Sequence, residues 1–338
     1  MTERLSDKIR EYLLPARGKT VNLKDMRVFF NIEPGSADDQ NLRTQMATTF
    51  VKSRDVKPSG LSDGVYKVLQ PIEPIKFSLD GEEKEGILDF KFPRSYVDDT
   101  IFEFQDDVEL SEGDLVLITG ETNYGKTGIA VSSMGENLDA LEETDLMGSE
   151  YNSPGGQISP KFRRRLKRMD WVNWENEKGE MRFNLWPIEH DYEDYIVPNH
   201  LTVIDWLTIP GEFYLIDTVM KTIKNSIGRG LAIIVTQKNK GAEFSEGGQR
   251  SERYADLVLK IDRLGRNESL LTVGKVKAYK GKSPVGRTFA FGFTDNGANL
   301  IGIREVTKCL KCRKGIVAKD GEWKRCEFCK GLKYVDKL

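Results

Sequence analysis

Two groups of residues carry recognisable chemistry, and the first is an eight-residue motif in the middle of the chain. Gly120 to Thr127 read Gly-Glu-Thr-Asn-Tyr-Gly-Lys-Thr and fit the pattern G-x-x-x-x-G-K-[ST]. In such a loop the glycines let backbone N–H groups wrap a phosphate chain, Lys126 reaches the β and γ phosphates, and the Thr127 hydroxyl holds Mg²⁺. A strand-like run, Leu115 to Ile118, precedes the motif, and Ile129 to Val131 begin a helix after it. This context favours a phosphate-binding loop over a chance match.

The loop predicts ATP and Mg²⁺ as cofactors. The residues expected to contact the nucleotide are Gly120, Glu121, Thr122, Asn123, Tyr124, Gly125, Lys126, Thr127 and Gly128. Further along, four residues typical of a buried strand, Leu201 to Ile204, are followed by Asp205, which is the form of a Walker B strand. We therefore expect Thr127 and Asp205 to lie on either side of one Mg²⁺.

Two polar side chains at the ends of other apolar runs are candidates for catalysis. Glu150 follows the short run that begins at Asp145. A glutamate at the carboxyl end of the strand neighbouring the phosphate loop can orient and deprotonate an attacking water. The alternative is that Glu150 is one of several surface acids. Gln237 ends the strand-like run Leu231 to Gln237, where its amide can sense the γ-phosphate.

A long basic loop and a pair of lysines follow Gln237. Residues 238–251 include three cations and three glycines and suit contact with a nucleic-acid backbone, although an irregular surface loop is the alternative. Two strands, 255–261 and 269–277, come next. Lys275 and Lys277 alternate onto one face of the second strand. Such cations are usually solvated, but they are also what would reach into the nucleotide of a neighbouring subunit.

The second chemical group consists of four cysteines. Cys309-x-x-Cys312 and Cys326-x-x-Cys329 are separated by 13 residues, which is the spacing of a four-thiolate zinc ribbon. Four thiolates leave no open position, so the predicted Zn²⁺ is structural, with a redox or iron–sulfur role as the alternative. Residues 304–338 hold 11 Lys or Arg against 5 Asp or Glu, together with several aromatic side chains. Contact with single-stranded DNA and docking of a replication protein are both open for this segment.

Bulk composition excludes some classes of protein. The chain has 338 residues, a net charge of −2 and 38% hydrophobic residues, which is enough for at least one large core. Any nucleic-acid contact must come from local patches because the whole chain is not a polycation. No apolar run approaches the ~20 residues of a membrane span, and the first residues lack the apolar stretch of a signal peptide. We expect no membrane contact and a cytoplasmic location.

The first 70 residues predict a small separate unit. A helix, a short extended segment, a second helix, a third helix opened by Ser36, and a β-ribbon follow one another, which is the order of a winged helix. This segment resembles one, and both DNA binding and protein docking are open for it. The predicted domains are a winged-helix-like domain (1–72), an acidic linker and entry to the core (73–100), an ATPase domain (101–303) and a zinc ribbon (304–338).

The motifs in residues 86–300 together resemble the RecA/DnaB superfamily of P-loop ATPases, and are most similar to the ATPase domain of DnaB-type hexameric helicases. The resemblance rests on the phosphate loop, Ser149-Glu150, Val203 to Leu207, Thr236-Gln237, Tyr254 to Asp256, and Lys275-x-Lys277. It implies an α/β fold with a RecA-like P-loop core and a mainly parallel sheet, flanked by a winged-helix-like α+β domain and a zinc ribbon.

The resemblance also implies roles for individual residues. Glu150 would be the catalytic base, Gln237 the γ-phosphate sensor, and Lys275 and Lys277 the finger that completes the site of the adjacent subunit. Lys126 and Asp205 complete the expected catalytic set. Helicases of this type commonly carry Lys-x-Arg at the finger, whereas recombinases carry Lys-x-Lys, as this chain does.

The function expected from these features is that of an ATP-dependent DNA motor, a DnaB-type replicative helicase of a phage or mobile element. It would act as a homo-oligomer, with a hexameric ring favoured, on single-stranded DNA in the host cytoplasm. Replication proteins would dock on the winged-helix-like or zinc-ribbon segment. The alternatives are a RecA-like recombinase that forms filaments on DNA and a DNA-binding regulator switched by ATP.

Overall fold

The computed structural model describes residues 4–60, 62–70, 85–154, 156–209, 215–242, 244–245, 247–319 and 322–337. The chain divides into two compact units, residues 1–81 and 82–338. The first part of the acidic stretch predicted as a linker, residues 73–84, lies outside the described residues, whereas residues 88, 90 and 92 pack against the core of the second unit.

The first unit has three short helices and a three-stranded antiparallel sheet of order β1-β3-β2. Its elements are α1 (Leu5–Leu13), β1 (Thr20–Asn22), α2 (Leu23–Phe30), α3 (Ala37–Thr44), β2 (Val56–Pro58) and β3 (Val65–Val68). The side chains of Asn22 and Ser36 cap α2 and α3 by accepting backbone N–H groups, as expected for polar residues at these positions. Helix α3 runs on as a π-helical stretch to Phe50. The winged-helix assignment stays a prediction.

The second unit is built on one ten-stranded sheet. Its strands in chain order are β4 (Leu115–Gly120), β5 (Thr144–Met147), β8 (Asn184–Trp186), β9 (Leu201–Ile204), β10 (Leu231–Gln237), β11 (Leu257–Leu264), β12 (Glu268–Val276), β13 (Thr288–Thr294), β14 (Asn299–Lys308) and β17 (Tyr334–Asp336). Two small hairpins lie outside this sheet, namely β6 (Asn152–Ser153) with β7 (Gln157–Ile158), and β15 (Ile316–Lys319) with β16 (Glu322–Arg325). The helices are α4 (Lys126–Glu136), α5 (Pro160–Arg168) and α6 (Ile216–Ser226).

The sheet order is β17-β14-β13-β12-β11-β4-β10-β9-β5-β8. The strands from β8 to β11 pair in parallel, and those from β11 to β17 pair antiparallel. The predicted α/β class with a RecA-like core is confirmed, and the parallel half of the sheet carries every predicted nucleotide residue except Lys275 and Lys277.

One expectation about the sheet was wrong. The strand that leads to Glu150, β5, does not neighbour the phosphate-loop strand β4, because β10 and β9 lie between them. Glu150 still lies at the carboxyl edge of the sheet, by which we mean the edge where the parallel strands end. The edge where they begin is called the amino edge below.

Both faces of the sheet are buried. One face packs on α4, α5 and the segment around Phe92 to Phe104, and the other packs on α6. Strand β4 is fully buried along its whole length, as expected for a central parallel strand covered on both sides. The phosphate loop is therefore held between rigid elements.

The cysteine-rich segment is joined directly to this sheet. Strand β14 runs from residue 299 to residue 308, so the domain boundary predicted at residue 304 falls inside it. After the β15–β16 hairpin, the chain returns as β17 and pairs with the end of β14. Within the described ranges, no helix has the length and apolar character needed to cross a bilayer.

Candidate active site

The phosphate loop connects β4 to the first turn of α4. Gly125 has a φ of 94°, in the left-handed region that favours glycine, and a Cβ at Gly125 or Gly128 would collide with the ring of Phe293. Lys126 begins α4 and donates from Nζ to the carbonyl oxygen of Glu121 at 2.7 Å. Burial lowers the pKa of the Lys126 ammonium group. The loop thus offers a helix N-terminus and a buried cation to a phosphate chain.

Asp205 follows β9 and is buried beside the loop. Its Oδ2 atom accepts a hydrogen bond from the Tyr151 hydroxyl. Burial raises the pKa of Asp205, and the nearby hydroxyl groups of Tyr151 and Thr127 oppose that rise. Among the described residues, no group hydrogen-bonds its buried Oδ1 atom. An oxygen ligand held in this way, next to a threonine hydroxyl, fits a Mg²⁺ ion or its water shell.

Glu150 lies in the short turn Ser149 to Tyr151 and is exposed. The neighbouring Tyr151 is buried and fixes this turn to Asp205, so Glu150 stands at the mouth of the same site. Arg165 of α5 also faces this place, because its positive charge acts on both Tyr151 and Asp205. The structure thus brings Glu150, Lys126, Thr127 and Asp205 to one edge of the sheet.

Gln237 and the segment after it touch the phosphate loop. Gln237 donates from Nε2 to the hydroxyl of Thr122 at 2.6 Å, and the backbone N–H of Gly241 donates to Glu121 at 2.9 Å. Lys238, predicted to belong to a nucleic-acid-binding loop, is instead buried and paired with Asp262. That part of the expectation was wrong, because the first residue of the segment still belongs to the core.

Lys275 and Lys277 lie at the amino edge, far from the phosphate loop of their own chain. Lys275 is in register with Val258, which pairs with Leu117 near the beginning of β4. Strand β4 spans about 17 Å between its two ends. The register therefore places both lysines away from the phosphate loop of their own chain.

Both lysines have partners within the chain. Lys277 donates from Nζ to Oδ1 of Asp256 at 2.6 Å, and Lys275 donates to the carbonyl oxygen of Glu252 at 2.7 Å. Burial and the nearby charge of Lys277 lower the pKa of Lys275.

Asp256 connects this edge to the phosphate-loop strand. Its Oδ2 atom accepts the backbone N–H of Leu115, the first residue of β4, at 2.8 Å, and it also pairs with Lys224 of α6. Burial raises the pKa of Asp256, but hydrogen bonds from Lys224, Lys277 and Leu115 lower it more, so the net shift is downward. The Asp256 carboxylate thus binds two lysine side chains and the first backbone N–H group of β4.

A basic cleft adjoins these lysines. Arg250, Arg253 and Lys275 line a cavity of about 350 Å³ together with Gln249 and Glu252. Arg250 belongs to the basic loop predicted to contact nucleic acid, residues 238–251, whereas Arg253 lies just beyond that loop. The cleft is open to solvent and of a size that accepts phosphate groups.

The four cysteine side chains come together as predicted. Their Sγ atoms all lie within 4.8 Å of one another, with 4.0 Å between Cys309 and Cys326 and 3.6 Å between Cys312 and Cys329. A tetrahedral zinc with Zn–S bonds of about 2.3 Å requires sulfur atoms about 3.8 Å apart. The donor set fits Zn²⁺, which would be held by Cys309, Cys312, Cys326 and Cys329.

Sequence reasoning missed three residues of the site. Phe293 packs on the phosphate-loop glycines, Tyr151 anchors Asp205, and Asp256 holds Lys277. Asp256 was named only as the last residue of the Tyr254 to Asp256 motif, with no role of its own. No sequence motif marks Phe293 or Tyr151, because each contacts a residue that is far away in the sequence.

The structure is an α/β fold that carries a phosphate-loop motif at the carboxyl edge of its large sheet. The phosphate loop follows the central strand, and the Asp205 strand lies two positions away, beyond β10. Comparison with protein-family models finds no match, and no curated protein matches the sequence.

Solved structures with a related fold are found at low identity. One is described as an ATPase domain, with 14% identity, a TM-score of 0.40, and coverage of 56% of this chain and 85% of that one. A second is a DnaB-like replicative helicase, with 15% identity, a TM-score of 0.41, and coverage of 56% and 59%. A third is a KaiC-like protein from Pyrococcus horikoshii OT3, with 16% identity, a TM-score of 0.44, and coverage of 57% and 91%.

Proposed function

We propose that the protein is an ATP-hydrolysing motor that works on single-stranded DNA as a homo-oligomer, with its active sites between subunits. A DnaB-type replicative helicase in a hexameric ring is the form we favour. The observation that carries the proposal is that Gln237 and Gly241 touch the phosphate loop, whereas Arg250 and Arg253, further along the same stretch of chain, line the basic cleft.

In this mechanism, Lys126 and the N-terminus of α4 bind the phosphates of ATP, and Asp205 with Thr127 would hold Mg²⁺. The ion neutralises charge on the β and γ phosphates when it is bound. Glu150 accepts a proton from the attacking water. Lys275 and Lys277 from a second chain stabilise the charge that develops on the γ-phosphate.

The coupling to DNA follows from the same segment. Gln237 and Gly241 hydrogen-bond the phosphate loop, so loss of the γ-phosphate changes the surroundings of both. The segment then crosses the sheet to the amino edge. Exposed cations on it, including Lys240 and Arg250, would contact the phosphates of single-stranded DNA and move with each hydrolysis step.

The test is ATPase activity with and without single-stranded DNA, followed by strand displacement from a forked duplex, with Lys126→Ala as control. We expect DNA to stimulate hydrolysis and the wild type alone to separate strands. Hydrolysis indifferent to single-stranded DNA, or a protein that stays monomeric with nucleotide bound, contradicts the proposal.

A RecA-like recombinase is the second candidate, and the Lys275-x-Lys277 pair favours it. Closed rings in negative-stain images with an ATP analogue and single-stranded DNA support the helicase. Open filaments with strand pairing support the recombinase. Sequence-specific duplex binding that survives loss of Glu150 supports an ATP-switched regulator instead.

A further inference from the structure

The cysteine-rich segment, described over residues 308–319 and 322–337, is attached to the sheet of the second unit, and we call it the platform. Strand β17 pairs with the end of β14, and the side chains of Leu332 and Tyr334 pack against the buried Leu264 and Val306. Any surface on this platform is therefore held in place relative to the sheet, since both its strand and its side chains are anchored there.

The platform exposes large apolar side chains that a small domain normally buries. Leu310 is 96% exposed, Trp323 is 66% exposed and Phe328 is 55% exposed. In the β15–β16 hairpin, Val317 packs toward the cysteines, whereas Trp323 is paired with Ala318 on the other face. The indole ring of Trp323 thus lies beside the small side chain of Ala318 and is largely exposed to solvent.

A cation lies against one of these side chains, the Phe328 ring. Lys311 places its Nζ atom 4.0 Å from the centroid of the Phe328 ring. A cavity of about 640 Å³ lies between the platform and β14, and its wall includes Phe328, Lys330, Tyr334 and Lys337. Residues 304–338 carry 11 Lys or Arg against 5 Asp or Glu, a net charge of +6, which becomes +4 when four thiolates bind Zn²⁺.

This combination has a specific chemical match. Flat exposed rings separated by cations suit a strand of unpaired bases, whose faces stack on aromatics while the phosphates lie against ammonium groups. Protein interfaces are instead depleted in lysine, and eight lysines of this platform are exposed, namely Lys308, Lys311, Lys314, Lys319, Lys324, Lys330, Lys333 and Lys337. The observations therefore favour nucleic acid over an acidic protein.

We propose that residues 308–319 and 322–337 form a single-stranded nucleic-acid binding site, in which bases stack on Trp323 and Phe328 and phosphates contact Lys311 and Lys330. The site needs neither ATP nor an assembled ring, so it stands whether or not the motor function holds. In the proposed motor, it would be a second contact with single-stranded DNA besides the basic loop, residues 238–251.

The experiment uses the full chain with zinc bound and no nucleotide. Binding of labelled oligo(dT), oligo(U), the matching duplex and poly-glutamate is followed by anisotropy over a range of salt concentrations. We expect Trp323→Ala to weaken oligo(dT) binding about 10-fold. Lys330→Gln should reduce the slope of log affinity against log salt by about one. Tyr195→Ala, which removes a 50% exposed ring elsewhere, should change nothing.

Intrinsic fluorescence gives a readout specific to this surface. Of the five tryptophans only Trp323 and Trp206 are strongly exposed, so oligo(dT) should quench the emission and Trp323→Phe should remove most of that quenching. Trp323 lies on the hairpin face away from the cysteines, so its substitution should leave zinc binding intact. The zinc content of each variant therefore checks that the ribbon is folded.

Several outcomes overturn the proposal. Unchanged oligo(dT) affinity in zinc-loaded Trp323→Ala and Phe328→Ala would do so, as would duplex binding as tight as single-strand binding. Equal affinity for poly-glutamate would assign the surface to an acidic protein. ATPase activity is measured in the same variants, so failure of the motor function is seen separately from failure of this site.

Discussion

The two edges of the central sheet are chemically opposite. At the carboxyl edge, Lys126 has only a carbonyl oxygen of its own loop as partner, and Asp205 keeps one buried oxygen without a hydrogen bond in the described part of the chain. At the amino edge, Asp256 is satisfied by Lys224, Lys277 and a backbone N–H group. One edge is therefore arranged for a ligand, and the other is complete within the chain.

At the amino edge, two lysines share one carboxylate. If Lys277 acts on a phosphate of another chain, as proposed above, Lys224 would continue to neutralise Asp256. A buried carboxylate left without a partner would make such a movement costly. The double pairing removes that obstacle.

The largest effect on the difference between the two edges is expected when the cation at the carboxyl edge, Lys126, is removed. Lys126→Ala should reduce ATP hydrolysis about 10³-fold, because the buried ammonium group stabilises charge in the transition state. Turnover of ATP with and without DNA measures this. Lys178→Ala, in an exposed turn, is the matched control. Wild-type turnover in Lys126→Ala would remove the phosphate loop from the mechanism.

The amino edge is tested by Lys277→Ala, which should lower hydrolysis about 10²-fold if its charge acts on a phosphate of another chain. Mixing this variant with Lys126→Ala in equal amounts should restore activity, because about a quarter of random interfaces combine an intact loop with an intact lysine. No recovery in the mixture, with oligomers still forming, would show that the two edges do not meet.

The contribution of the Asp256 ion pairs to stability is tested by Asp256→Asn. At pH 7, we expect the free energy of unfolding of the second unit to fall by about 2 kcal/mol, because hydrogen bonds to a charged group are lost. The pKa of Asp256 is lowered in the fold, so its contribution is complete above about pH 4 and disappears as the pH falls through the folded value. Denaturant titrations of both proteins at several pH values measure this, and a constant difference down to about pH 2 would contradict it.

A finer test of the carboxyl edge is Tyr151→Phe. The phenol hydroxyl orients Asp205, and the phenylalanine ring keeps the packing against Phe162. We expect the Mg²⁺ concentration for half-maximal ATPase activity to rise about 10-fold, as for other partners of metal ligands. Tyr195→Phe serves as control, and an unchanged Mg²⁺ dependence would show that Tyr151 is only a packing residue.

The carboxyl edge was largely predictable because its signals are local. The phosphate loop, the Asp205 strand and Gln237 are each marked by an apolar run that ends in a polar residue. The position of β5 was not predictable, since nothing local shows that β10 and β9 separate it from β4.

The amino edge was mostly hidden from sequence reasoning. The hydrogen bond between Asp256 and Leu115 joins residues 141 positions apart, and the pairing with Lys224 also depends on tertiary packing. Lys275 and Lys277 were visible as a pair, but their partners were not. Contacts across a sheet edge carry no periodic signal, which is why Arg253 was missed as well.

The attachment of β17 to the outer end of β14 has a consequence for handling the purified protein. Backbone groups of Val306, Thr307 and Lys308 are paired by this strand, which is held in place by the cysteine cluster. If the four cysteines hold Zn²⁺, chelators that extract it would loosen β17 and leave an unpaired strand edge, and such edges recruit strands from other molecules. Aggregation in EDTA would then precede any loss of the nucleotide fold, and reducing agents with trace zinc would prevent it.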